Sequence, residues 1–513
     1  LTHKNSILWR EIIMKRSFDQ SFGHKQSAFQ PFSRPQNLDR QINAATLADD
    51  TSKVRPVMRT IAQRPLIRVV WPSAPDSHAS VPPQLPTAAT STGVANENST
   101  QALIAQKADE LHAAILANEN EVIQDILNGP GASEIAMVAD AEGKNALFHA
   151  IEKNDLLTQD RLLNLSSSSE MAMQKSKSGL MPLSLAAKQG SVVSVALLLG
   201  LGSAKEQVSA SVKEKERKWS HPLALASTYG HEQTVKFLLS SSCAEILTKD
   251  SSHPGARAMA FAAYQGHVGV VKLLLASPYA KKLANYKAPD GCNALMYAAQ
   301  QGHVDVVRVL LESRFARWLA AGKNQHGANV LLRACKKGRA ESVQMLLDSP
   351  FAEQLVQGTS QKGFNALTYV AYYGHEAAVQ VLLQSSFASM LAHYRDELGE
   401  NALMAAALKG RAEVVKTLLN SIHGAALIQA KSVSGGNALI SAARGGHKEV
   451  VQLLLDYGFV ESQLAPQGPS GGALDIALAD GHQEVADLLR SYGAVCSVSD
   501  VGNSSSANIT PGQ

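Results

Sequence analysis

Cysteine is scarce. Cys243, Cys292, Cys335 and Cys496 lie far apart, with no CxxC pair and no metal-ligand spacing, which argues against both a zinc site and a disulfide framework. A reducing compartment such as the cytoplasm fits that usage. Long apolar runs are missing as well. None approaches the roughly 18 residues of a membrane span, and no short apolar signal core opens the chain. Charge of one sign is not in excess: the formal net charge is +4, too small to argue for nucleic acid on its own. The motifs of catalysis are also absent. No Walker loop, kinase signature, HExxH or Ser/His/Asp set is found, and Gly435-Gly436 and Gly471-Gly472 are isolated pairs, not phosphate loops. No catalytic residue, cofactor or metal ligand is assigned, and the chain is read as a non-enzyme.

What is there is a period. Asn293 to Ser313 reads NALMYAAQQGHVDVVRVLLES, and its Gly302-His303 pair recurs at Gly230, Gly266, Gly338, Gly374, Gly410 and Gly446 in steps of 36 residues. A fixed period of this size marks stacked repeats. Within one repeat Asn293 suits a helix N-cap. Gly302 suits the left-handed turn that ends the helix. Val306, Val307, Leu310 and Leu311 then form the apolar stripe of a second helix. Two short antiparallel helices cannot bury such stripes alone, whereas a stack of them makes one continuous core.

The unit resembles the ankyrin repeat. The family pattern T-P-L-H-x-A-A-x-x-G-H-x-x-V-V-x-x-L-L reads here as Asn293-Ala294-Leu295-Met296, Ala298-Ala299, Gly302-His303, Val306-Val307 and Leu310-Leu311. Asn, Ala and Met replace Thr, Pro and His, so the resemblance carries the fold but not the family's Thr–His hydrogen bond. The unit also exceeds the usual length of about 33 residues. Its surplus keeps its own period in Tyr279, Phe315, Phe351, Phe387 and in Leu283, Leu319, Leu355, Leu391. This predicts an added helical turn that packs one aromatic and one leucine per repeat.

Eleven units are counted, with Asn118, Asn154 and Gly190 ahead of the seven regular glycines and Gly481 behind them. The step from Gly190 to Gly230 is 40, and the charged run Lys213 to Lys218 is expected to be a solvated insertion. The expected fold class is thus an all-α ankyrin-repeat solenoid over residues 101–493. The last unit carries Arg490 where inner units have a second leucine, as a polar capping repeat requires. Residues 1–100 and 494–513 are expected to be disordered tails. Leu1 opens the sequence, and Met14 is expected to be the start of translation. Between Met14 and Pro75 ten Lys/Arg face four Asp/Glu. This leader admits a transit peptide or, by resemblance, the leader of ankyrin-repeat effectors that bacteria inject through a type III needle. Val54 to Trp71 is its one apolar-basic stretch, with a docking role or none, and Ser73 to Thr100 reads as a linker.

The histidine column (His231, His267, His303, His375, His447, His482) invites a metal reading. Successive members lie one repeat apart, about 8–10 Å, whereas a metal needs donors at about 2 Å. Arg339 and Arg411 share the column. A bond from each side chain to backbone is expected instead.

The resemblance implies a concave groove built from the ends of the first helices and the turn tips. Carried over by position, it consists of Tyr229, Tyr264, Gln300, Gln301, Lys336, Lys337, Tyr372, Tyr373, Lys409 and Arg444, with Lys362 and Phe364 from the tips. Phe261, Tyr297 and Tyr369 are expected to be packing residues. Tyrosine and positive charge point to an acidic or aromatic-containing segment of a protein partner. A monomeric scaffold with no membrane span is expected, acting in the cytoplasm, its own or that of a host. An endogenous cytosolic or membrane-skeleton adaptor is the alternative within this class. Nucleic-acid association through the basic leader and groove is the less favoured alternative outside it.

Overall fold

The computed structural model describes residues 93–212, 221–249, 254–458 and 471–496. The expectations for Met14, for Val54 to Trp71, for the insertion Lys213 to Lys218 and for the tail beyond Cys496 lie outside the described residues. Among those described there are helices and no strand.

Each complete repeat folds as a first helix, a second helix and a short third one. In repeat six these are Ala294–Gln301, Val304–Glu312 and Ala316–Ala320. Val306, Val307 and Leu310 are fully buried and Leu311 half-buried, so the stripe read from the sequence is the contact face. First helices pack on first helices of neighbouring repeats, and second on second, which extends one core along the stack.

In repeats six to nine the asparagine that starts the first helix does two jobs. Asn293 has extended backbone (φ −101°, ψ 178°), and its Oδ1 accepts from the Met296 N–H at 3.0 Å, capping the first helix. Its Nδ2 donates to the Leu319 carbonyl at 2.8 Å, which ties that helix to the third one. Asn329, Asn365 and Asn401 repeat both bonds, the second to Leu355, Leu391 and Leu427 at 2.7, 2.9 and 2.8 Å. A threonine could cap, but it has no amide donor to reach the third helix. The departure from the family pattern and the added turn therefore belong together.

The added turn is present, though only half of its expected packing is. Leu283, Leu319, Leu355 and Leu391 are 0–3% exposed. Their aromatic partners Tyr279, Phe315, Phe351 and Phe387 stand at the N-cap of the third helix and are half-buried at the rim. The leucine points back under the turn, while the residue four positions earlier is left at its mouth.

Two further positions test the register. Asn118 and Asn154, set in the glycine column by spacing alone, have φ of 61° and 54°. They are the non-glycine residues with positive φ among those described, and asparagine tolerates that region best. At the N-terminal end the expectation is corrected. The first helix spans Gly93–Ala117 and so takes in the last residues of the stretch read as linker. Pro86 is the last proline before it, and nothing after Gly93 breaks a helix. At the other end Arg490 is exposed and pairs with Asp487 at 3.0 Å.

Replacing Asn365 by Ala removes the cap and the tie together, and should destabilise the array by about 2–3 kcal/mol. Asn365→Thr keeps the cap acceptor and should lose about half of that. Urea unfolding followed by circular dichroism compares the two.

Candidate functional site

The residues proposed as a contact surface sit where each first helix ends, and a bond from the next repeat shapes that end. The last carbonyls of a helix have no partner inside it. His231 Nε2 donates to the Lys188 carbonyl at 2.8 Å, His267 to Thr228 at 2.9 Å, and His303 to Tyr264 at 2.9 Å. His375, His447 and His482 donate to Lys336, Leu408 and Arg444 at 3.0, 3.1 and 3.2 Å. Because a carbonyl only accepts, the proton is on Nε2. Arg339 and Arg411 take the histidine's place through Nε, at 3.2 and 3.5 Å from the Gln300 and Tyr372 carbonyls. The column is therefore structural. Among the described residues no three His, Cys, Asp or Glu side chains are placed to hold a metal ion.

The acceptor in every case is the residue two before the column glycine. Its backbone is fixed while its side chain, except for the buried Thr228, is at least partly exposed. In repeats seven to nine those side chains converge. Phe364 lies 5.9 Å from Tyr369 and 5.5 Å from Tyr372, ring centre to ring centre. Tyr373 lies 5.8 Å from Tyr369 and 5.3 Å from Tyr372, and it stacks on His375 at 6.2 Å. Lysine ammonium groups flank these rings: Lys336 Nζ is 5.8 Å from the Tyr373 ring, and Lys409 Nζ is 5.0 Å from the Tyr372 ring. The four rings are all half-exposed. The result is an aromatic shelf with cations on both sides.

The remaining predicted residues are placed around this shelf or away from it. Lys337 and Lys362 are exposed beside it. Gln300 accepts from Arg333 Nη2, while Gln301 stays half-exposed. Tyr264 meets Tyr297 edge-on at 5.7 Å. Tyr229 is a separate exposed site, stacked on His231 at 6.3 Å with Lys188 Nζ 5.7 Å from its ring. Arg444 is exposed and distinct from the shelf.

Two residues escaped the sequence reading. Tyr369, expected to be packing, is half-exposed and forms part of the shelf. Tyr297, by contrast, is 9% exposed, its hydroxyl donating to Asp290 Oδ1 at 3.2 Å. Arg333 occupies the same column between them and lies 3.6 Å from Asp290. Its buried Nε–H has no acceptor among the described residues. The column five residues before each glycine would have revealed both, since Phe261, Tyr297, Arg333 and Tyr369 are 36 residues apart.

The family model described as ankyrin repeats (3 copies) matches residues 259–357, 348–431 and 421–500. Residues 259–500 are ankyrin repeats. No curated protein matches the chain. The ankyrin plan continues upstream of the matched residues, where the helices from Gly93 to Leu247 keep the same order. No helix among the described residues is long and apolar enough to cross a membrane.

Ionisable groups within the ankyrin core are held in one state. Burial pushes the Cys292 thiol up to about 12, and the fully enclosed Cys335 thiol higher still. Near the start of the array His112 and His149 are each 6% exposed, with ring centres 4.8 Å apart. Burial, and then the neighbouring His149, hold His112 below its ordinary value of 6.5 against the opposing pull of Asp140 and Asp109. The unfolded chain takes up this proton more readily than the folded one. The stability that His112 contributes is therefore complete above pH 6.5 and is lost as the pH falls below it. Urea midpoints measured across that range should drop on acidification, and His112→Gln should flatten the part that this residue causes.

Proposed function

We propose that the array is a recognition scaffold that holds an acidic segment of a partner protein, with aromatic or apolar side chains, on the face of repeats seven to nine. The observation that carries this reading is the shelf of Phe364, Tyr369, Tyr372 and Tyr373 between Lys336 and Lys409. Tyrosine rings supply large contact area with a polar end, which is why they dominate binding hot spots. The flanking ammonium groups, with the exposed Lys337 and Lys362, favour carboxylates and steer their approach. The backbone beneath the rings is fixed by its repeat-to-repeat bonds, so little ordering remains to oppose binding. No step of bond chemistry is assigned to the site, and the scaffold works as a monomer.

The setting we favour is cytoplasmic. The combination of an ankyrin array with a basic, Ser- and Gln-rich leader supports an effector delivered into a host cell. An endogenous adaptor would use the same face in its own cytoplasm.

Changing Lys336, Lys337, Tyr372 and Tyr373 together to Ala should weaken a captured partner by about a hundredfold or more. Affinity of the intact chain should also fall with added salt. Capture from its own cell extract and from a host extract, read by mass spectrometry, makes the comparison. A partner kept by this variant but lost on removing residues 1–100 would place recognition in the leader. A nucleic-acid complex that collapses between about 50 and 200 mM salt, with no protein bound, would favour that alternative.

A further inference from the structure

A second surface, apart from the shelf, lies on the third helices of repeats five and six. The stretches 278–287 (PYAKKLANYK) and 314–323 (RFARWLAAGK) hold six Lys/Arg and no Asp/Glu. One column shows how local this is: it runs Glu245, Lys281, Arg317, Glu353 at intervals of 36 residues. The charge reverses on these two repeats and reverts on either side.

Lys281, Arg314 and Arg317 are exposed and Lys282 is half-exposed. None of them takes part in an ion pair within the described residues. Aromatic rings lie among these cations. Lys282 Nζ is 5.8 Å from the Tyr279 ring, Arg314 Cζ is 5.0 Å from the Phe315 ring, and Trp318 is 39% exposed. Beside them, between the second helices of the same repeats, is an open depression of about 510 Å³. Leu275, Ala276, Val309 and Phe315 form its apolar lining, Lys272 and Arg314 add positive charge, and Glu312 is its one acid.

We propose that this edge docks on an anionic membrane surface. Four unpaired cations would meet lipid headgroups while Tyr279, Phe315 and Trp318 enter the interfacial layer. Aromatic rings interleaved with Lys and Arg are the pairing that such an interface selects. A shallow depression also suits a plane of headgroups better than a single extended peptide. Each cation brought to an anionic leaflet strengthens partitioning by about fivefold. The surface shares no residue with the aromatic shelf, so the two can be occupied together.

The full chain should sediment with phosphatidylcholine vesicles carrying about 30 mol% phosphatidylserine, and not with phosphatidylcholine alone. Replacing Lys281, Lys282, Arg314 and Arg317 together by Ala should reduce that binding about a hundredfold or more. These side chains are solvent-facing, so the thermal midpoint should stay put. Tryptophan emission should shift to the blue on binding, and Trp318→Phe should remove that shift. The variant lacking Lys336, Lys337, Tyr372 and Tyr373 should bind vesicles like the parent. Absence of binding by the parent, equal binding to neutral vesicles, or full binding by the Lys281/Lys282/Arg314/Arg317 variant would overturn the proposal. So would equal losses in both variants, or binding to a poly-glutamate peptide without binding to vesicles.

Discussion

The structure depends on one bond, from a ring or guanidinium nitrogen in one repeat to a helix-terminal carbonyl in the repeat before it. That carbonyl would otherwise be an unpaired acceptor at a helix end. The column glycine makes the bond possible in two ways. At Gly338 the backbone is left-handed (φ +66°), and a Cβ there would sit 2.5 Å from the His375 ring. The ring thus lies where a side chain would have been. Arg411 meets Gly374 in the same way, which explains why arginine can replace histidine without disturbing the stack. The bond uses backbone oxygen only, so the residue that supplies it keeps its side chain for other purposes. The backbone of that residue holds the stack and its side chain is left available.

Much of this was legible in the chain, because a strict period converts spacing into geometry. Asn118 and Asn154 share almost nothing with Gly302 except position, yet they adopt its backbone conformation. The leucine column of the third helix was legible for the same reason, since a buried position tolerates few alternatives. What resisted reading was whatever depends on two columns at once. Asn293 could be seen to cap a helix, but its second bond reaches 26 residues ahead, to a carbonyl that carries no sequence signal. Tyr369 looked like core because its column often is. It joins the shelf because Phe364, Tyr372 and Tyr373 are grouped around it in the same repeat.

The two proposed surfaces would make a uniform scaffold specific. Neighbouring repeats present the same positions at the same spacing, so a partner reads columns of side chains. In the first-helix columns aromatic rings accumulate toward repeat eight. In the third-helix columns positive charge appears in repeats five and six, between Glu245 and Glu353. These positions lie outside the bonds that hold the stack, so they can change without cost to the core.

The cross-repeat ties described here join residues no more than 44 apart, such as Gln361 to His326 and Thr234 to Gly190. Each repeat is therefore secured to its neighbours and to nothing beyond them. Pulled from its two ends, such a chain yields serially. Every regular repeat that detaches releases 36 residues, about 120 Å of contour at full extension. Tension would be met by a ratchet of equal steps starting at the weaker terminus, and a partner seated on repeats seven to nine would stiffen the middle of a molecular spring.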